Sequence, residues 1–450
     1  MRALLFALMA DGISTIDGPL VSPDTTAMID AISALGARVE QSRNTITVEG
    51  TSARLKAPSD VIHCGNSGQV LRFIGALAGH LPTYTILTGD ASIRTLRPAQ
   101  PLIDALHQLG AFATSSCGNG FAPLIIRGPI RGQMASLDGR DSQPVSGLLM
   151  ALSFADHSTE LIVDDPGETP WIDLTLSWLN RWNFSVVHDE YRHYCIKGQG
   201  RLRAFQYTVA GDWSSALFPI AAAIVSRSQV TLGPLDISDA QGDKCVLGIL
   251  QELGATVYRE GLKNWETGKE AASIFQSGVS GHALEHAANE DEKLKAKPTP
   301  PEINFSITRG IAVEASQITV SAHQPLDGGA IDVDQCIDAL PILAVIGCFG
   351  KAPLTLYNGK IARSKESDRI AAIAKELGRM GARIEEQDDG LIVYPSRLRG
   401  AELSSHNDHR IAMALAIAAL GADTPSTLHN PECTAKSYPT FWQDLTQNNA

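Results

Sequence analysis

Six times along this chain, a helix pattern that is apolar nearly all round is followed by a short β-type segment and then by an amphipathic helix. The apolar stretches are RALLFALMA, GQVLRFIGALAG, SGLLMALSFAD, SSALFPIAAAIV, DALPILAVIGCFG and HRIAMALAIAALG. Behind them come STIDGPL, YTILTG, TELIVDD, SQVTLGP, APLTLYNG and PSTLHNP. Such self-similarity constrains a fold strongly, because a repeated unit buries its apolar face only against its neighbours. A helix with no polar side belongs in an interior. The amphipathic helices AISALGARVE, ALHQLGAFA, WLNRWNFSVV, ILQELGATVY, ELGRMGARIE and TFWQDLTQ then cover it. Gly36, Gly110, Gly254 and Gly381 stand as C-caps, where left-handed backbone favours glycine.

Counting the third unit, which has no such glycine, the cap positions recur about every 70 residues, except that roughly 55 extra residues intrude between Gly254 and Gly381. The excess is placed at about 259–309, whose EHAANEDEKLKAKPTPPE core is polar, charged and Pro-flanked, as in a solvated surface insertion. The pattern predicts two α/β globules of three units each, helices inside and sheets outside, over residues 1–208 and 209–450.

A net charge of −12 argues against a nucleic-acid binder, which needs broad basic surfaces, so any anion site is local. The seven cysteines follow no metal-ligand or disulfide spacing, so neither a zinc site nor a disulfide framework is expected. No run approaches the roughly 18 apolar residues of a membrane span. MRALLFALMADG lacks a small-x-small cleavage site and repeats deep in the chain, so it reads as structure rather than leader. A cytoplasmic monomer acting on small molecules is expected.

The turns before the buried helices carry polar chemistry: HCGNSGQ, GRDSQP, AGDWSSA, DQCIDA and HNDHR. Helix N-termini offer free N–H groups and partial positive charge, so several converging on one cleft form a site for phosphate or carboxylate. IARSKESDRIAAI adds Arg363, Lys365 and Arg369 at a helix start, where cations oppose the macrodipole. An anion among them explains the arrangement.

At these turns the chain resembles the EPSP synthase (3-phosphoshikimate 1-carboxyvinyltransferase) family. The matching stretches are GNSGQVLRF, RPAQPLIDALHQLGA, DSQPVSGLLM, GDWSSALFPIAAA, RSKESDR, NDHRIAMALA and PECTAKSYPTF, in family order and spacing. The resemblance implies an inside-out α/β fold of two domains, each a threefold repeat of a βαβαββ-type unit. It implies transfer of the enolpyruvyl group of phosphoenolpyruvate to the 5-hydroxyl of shikimate 3-phosphate, releasing phosphate without a metal or organic cofactor, a step toward chorismate and the aromatic amino acids. Gly68, Arg97, Arg369, Arg410 and Lys436 match phosphoenolpyruvate-binding positions. Arg2, Ser142, Gln143, Asp338 and Lys365 match shikimate 3-phosphate ligands. Asp338 matches the residue meeting the 5-hydroxyl, Glu366 the proton-transfer carboxylate, and Trp171 an aromatic that packs on the ring. From the residues alone, Asp338 also reads as an N-cap, Glu366 as half of a surface ion pair, Trp171 as core, and His409 as a residue that orients Asp408 or caps its helix. Cys117 reads as part of a hairpin turn.

The family opens with a strand and an S-K-S-x-x-x-R-A turn, of which this sequence matches only Arg2; without the Lys, slow turnover is expected. The absent strand is expected to leave a sheet edge uncovered. Asp141 replaces a serine and Ile361 an asparagine expected near the acceptor, and Glu168 stands near another expected phosphate-contacting serine. Lineage variation is the expected reason, with Arg140 or Arg2 neutralising the carboxylates. Two alternatives remain: a weakly active relative that only binds substrate, and a UDP-N-acetylglucosamine enolpyruvyl transferase, which typically carries a reactive loop Cys.

Overall fold

The computed structural model describes residues 1–259, 275–276, 302–304 and 315–447. The insertion expected at about 259–309 therefore lies outside the described residues, apart from Arg259 and the short strands Phe275–Gln276 and Glu302–Asn304.

The six apolar stretches form the helices Arg2–Met9, Gly68–Ala78, Ser142–Ser153, Trp213–Val225, Leu340–Cys348 and His409–Leu420. Every residue of Trp213–Val225 is buried, as the lack of a polar face requires. They fill two separate apolar cores, one running from Ala3 to Phe205 and the other from Trp213 to Phe441. Sheets lie outside. Along Thr159–Asp164 the residues alternate buried and exposed, Leu161 and Val163 facing in and Glu160 and Asp164 facing out.

Four of the buried helices join a parallel strand pair directly. Ile62–His63 pairs with Thr85–Thr88 across the second helix, Met134–Asp138 with Thr159–Asp164 across the third, Gly329–Asp332 with Leu354–Tyr357 across the fifth, and Glu402–Ser404 with Thr427–His429 across the sixth. Parallel neighbours need such a crossover. The first and fourth helices are completed at long range: Ile13–Asp17 pairs in parallel with Gln206–Thr208, and Gln229–Asp236 with Glu302–Asn304. Glu402–Ser404 and Thr427–His429 form a sheet of two described strands, whereas the other sheets have four or five.

The covering helices end as their glycines dictate, with φ of 108° at Gly36, 80° at Gly110, 99° at Gly254 and 90° at Gly381. After Thr169–Arg181, where no glycine stands, Asn183 takes the left-handed conformation at φ 58°. Cys117 is exposed in the hairpin turn between Phe112–Ser115 and Leu124–Arg127. Among the described residues no helix is long and apolar enough to cross a membrane.

Glycine has a second use where buried helices touch. A Cβ on Gly147 would lie 2.8 Å from the backbone oxygen of Arg72 in the neighbouring helix, whereas one on exposed Gly378 meets nothing within 4 Å. Gly147→Ala is expected to destabilise the fold by ~1–3 kcal/mol through overpacking. Gly378→Ala, in the last turn of the helix Arg369–Arg379, should stabilise it by ~0.4–1 kcal/mol. Urea denaturation of the two variants checks the contrast, and equal effects would contradict this packing.

Candidate active site

All six buried helices begin at one groove between the two cores. Their first-turn N–H groups need acceptors. Ser67, Asp141, Asp212 and Asp408 supply side-chain oxygens to Val70, Gln143, Ser215 and Arg410 at 3.4, 3.0, 3.0 and 2.9 Å. The polar turns are thus caps first, and the chemistry is carried by what stands beside them.

The charges of IARSKESDR divide into two sets. Arg363 faces outward, to Asp368 at 2.8 Å and Glu386 at 2.9 Å, while Lys365, Glu366 and Arg369 turn into the groove. Arg369 is 1% exposed and holds three carboxylates: Asp408 at 2.9 Å, Asp338 at 2.6 Å and Glu366 at 2.8 Å. Glu366 also takes Arg97 at 2.6 Å and Lys436 at 2.5 Å, and Asp338 takes Arg410 at 3.4 Å. Glu366 is therefore no surface ion pair. Nor is Asp338 a cap: it lies in the 3-10 turn Asp334–Ala339, and the following helix is capped at Ala339 without a side-chain bond.

Burial alone would raise these carboxyls, but the cations prevail. Arg410, Arg369 and Lys365 hold Asp338 well below the usual carboxylate range, and Arg97, Lys436 and Arg369 do the same to Glu366. Both are anionic at neutral pH. Some cationic N–H groups remain: Arg97 Nε and Arg410 Nε and Nη1 are buried without an acceptor among the described residues. Buried donors left unpaired are costly unless an anion receives them.

A Cβ on Gly68 would come within 2.6 Å of Arg97 Nη1 and 2.7 Å of Arg72 Nη1 and Gln143 Oε1, so a side chain there would push these groove groups out of place. Arg2 lines the same groove, donating to Thr175 Oγ1 and the Trp171 carbonyl, both at 2.8 Å. Trp171 is only half-buried and borders the groove, so it is not simple core. Ser142 and Lys365 do converge there, but on a protein carboxylate. Glu168 accepts the Ser142 backbone N–H at 3.2 Å and its hydroxyl at 3.0 Å, and forms an ion pair with Lys365.

The expected neutralisation by Arg140 or Arg2 is corrected. Arg140 is committed to Asp138, 2.9 Å from Nε, and Arg2 to the neutral oxygens just named. Arg72 neutralises Asp141 at 3.0 Å, and Lys365 neutralises Glu168. Arg72 escaped the sequence reading although GNSGQVLRF places it four residues beyond Gly68, one helical turn away. Asp24, which accepts Ser67 Oγ at 3.0 Å and lies 3.9 Å from Lys436, gave no signal beyond an ordinary helix start. Ile361 packs against the second core and does not line the groove.

His409 neither caps nor orients. Asp408 caps the helix and is fixed by Arg369 and by Ser367 Oγ at 3.1 Å, whereas His409 Nδ1 lies 3.8 Å from it, beyond a hydrogen bond. Glu366, Asp408 and His409 each bring one ligand atom within 4.8 Å of the others. Arg369 already occupies both carboxylates, with Arg97 and Lys436 behind, so a metal cation would meet three positive charges there.

Comparison with known proteins accords with this arrangement. A family model described as EPSP synthase (3-phosphoshikimate 1-carboxyvinyltransferase) matches residues 1–285 and 301–445. A protein named 3-phosphoshikimate 1-carboxyvinyltransferase from Chlamydia felis is 38% identical over 449 residues, spanning 99% of this chain and 88% of that protein. One of the same name from Acetivibrio thermocellus is 34% identical over 441 residues, spanning 98% and 91%. Among solved structures, EPSP synthase from Acinetobacter baumannii shares the fold at TM-score 0.74 and 24% identity, over 99% of this chain and 92% of that one. The enolpyruvyl transferase NikO from Streptomyces tendae does so at TM-score 0.68 and 17% identity, over 99% and 91%.

Burial, and next Arg410, push the His409 imidazole down to about 3, so it stays neutral in the folded chain. Between that value and its unfolded value near 6.5, the unfolded chain binds the extra proton, so this group removes stability as pH falls through the window. The stability of the wild type relative to His409→Asn should therefore decline steadily from pH 6.5 to 4 in denaturant titrations. A pH-independent difference would refute the assignment.

Proposed function

The chain belongs to the EPSP synthase family, and from that premise we propose that it transfers the enolpyruvyl group of phosphoenolpyruvate to the 5-hydroxyl of shikimate 3-phosphate. The observation that carries the reading is the convergence of Arg97, Arg369, Arg410 and Lys436 on Asp338 and Glu366 between the two cores. Two anion seats follow: Arg369 and Arg410 suit a carboxylate, and Arg97 and Lys436 a phosphate. We take the domains to divide near residues 208 and 209, between Phe205 of the first core and Trp213 of the second. A monomer in the cytoplasm is the working assignment.

In this reading the acceptor hydroxyl adds to C2 of phosphoenolpyruvate while C3 takes a proton. The adduct then loses phosphate from C2 and a proton from C3, restoring the double bond. Asp338 receives the hydroxyl proton and Glu366 exchanges the proton at C3. Both are weak bases in the free chain because cations hold them. Phosphoenolpyruvate competes for those same cations, and each contact it takes raises the basicity of the carboxylate that loses it. Substrate binding thereby switches on the proton-transfer groups. Gln143 and Gly68, at two adjoining helix starts, complete the floor, with Trp171 and Arg2 beside them.

The rival that uses a reactive loop Cys finds no support, since no cysteine lines the groove among the described residues. Asp338→Asn is expected to lower kcat by ~10²-fold or more with the phosphoenolpyruvate KM unchanged or reduced, because a competing carboxylate is gone. Arg410→Ala should instead raise that KM by about tenfold or more, the worth of a charged hydrogen bond. Phosphate release with both substrates, with product identified by NMR, checks both. A wild type that releases none would defeat the proposal.

A further inference from the structure

With Ser142 and Lys365, two of the positions matched to shikimate 3-phosphate ligands, taken as the pair that holds its phosphate, the carboxylate of Glu168 occupies the phosphate's place. Its oxygens take a helix N-terminal N–H, the Ser142 hydroxyl and the Lys365 ammonium, the three donors a phosphate would use there. Glu168 is 1% exposed and built in rather than resting at a surface. Its backbone is left-handed at φ 50°, a conformation that costs a non-glycine residue energy. Its N–H is held by Asp334 Oδ1 at 3.1 Å, from the other half of the chain. The preceding Gly167 sits so close to Arg140 that a Cβ would lie 2.8 Å from its carbonyl oxygen. The segment is thus fixed on both sides, and the side chain is aimed at the seat.

A phosphate entering this seat meets Glu168 and Asp141, while the guanidinium groups of Arg140, Arg72 and Arg2 are already engaged. Arg140 is paired with Asp138, Arg72 with Asp141, and Arg2 with neutral oxygens. We infer that Glu168 is a specificity-determining residue: it acts as a resident substitute for the acceptor's phosphate, so this chain favours the phosphorylated acceptor over its unphosphorylated counterpart far less than the same cleft would without it. This rests on the reading that Ser142 and Lys365 receive that phosphate. Discrimination between ligands is a difference of affinities, and a like charge in the seat reduces it.

The test uses calorimetry and turnover in parallel on the full chain, Glu168→Ser and Glu168→Gln, each with shikimate 3-phosphate and with shikimate. Glu168→Ser opens the seat, and Glu168→Gln removes the charge at the same size while its amide oxygen still accepts from Ser142, so it guards against a folding defect. Both variants should raise the affinity ratio for phosphorylated over unphosphorylated acceptor by about tenfold or more, as expected when charged donors are freed. An unchanged or lowered ratio in both variants overturns the inference, whatever the turnover. A raised binding ratio with no phosphate release from any form upholds it and overturns the proposed reaction instead.

Discussion

Arg369 is the contact on which the groove depends. A guanidinium buried at the positive end of its own helix is unfavourable twice, through lost hydration and through the macrodipole. It persists because Asp408, Asp338 and Glu366 reach it from the start of the sixth buried helix, the turn before the fifth, and the residues just ahead of its own helix. Removing any one partner would leave buried charge uncompensated, so the three segments are fixed relative to each other by one side chain. The remaining cations are then arranged around the carboxylates that Arg369 has already oriented.

The free groove is therefore a set of anion seats held by the protein's own carboxylates. Glu366 fills the seat of Arg97 and Lys436, Asp338 that of Arg410, and Glu168 that of Ser142 and Lys365. A resident carboxylate keeps a buried cation paired when no ligand is bound, and it sets a threshold that an incoming anion must exceed. In the proposed reaction Glu366 and Asp338, once displaced, are also the groups whose basicity the chemistry needs, so displacement would be productive. Glu168 has no such second use in that reaction, and its proposed effect falls on selectivity alone.

Much of this was legible in the sequence because it follows from periodicity and backbone rules. The six buried helices, the strands behind them and the left-handed ends at Gly36, Gly110, Gly254 and Gly381 all stand where the pattern put them. The cations and carboxylates of the groove were equally visible as residues at helix starts. Their pairing was not. Arg140 is adjacent to Asp141 in sequence yet bonds Asp138, while Asp141 is neutralised by Arg72 from a helix some seventy residues earlier. Adjacent side chains at a helix start point in different directions, and the partner is chosen by which helix packs alongside. The neutral state of His409 was illegible for the same reason, since it depends on burial beside Arg410.

The inside-out arrangement explains why so many charges share one place. With sheets outside and apolar helices inside, the only polar part of each buried helix is its end, and packing three such helices side by side brings their ends together. Two globules facing each other double that set. Each N-terminus favours an anion, yet a core helix cannot carry charge further along its length, so acids gather at the caps and cations gather around the acids. Closely spaced N-termini, capping acids and balancing cations then produce a groove that recognises phosphate and carboxylate. On the proposal above, its selectivity among anions is decided by which seats a resident carboxylate already holds.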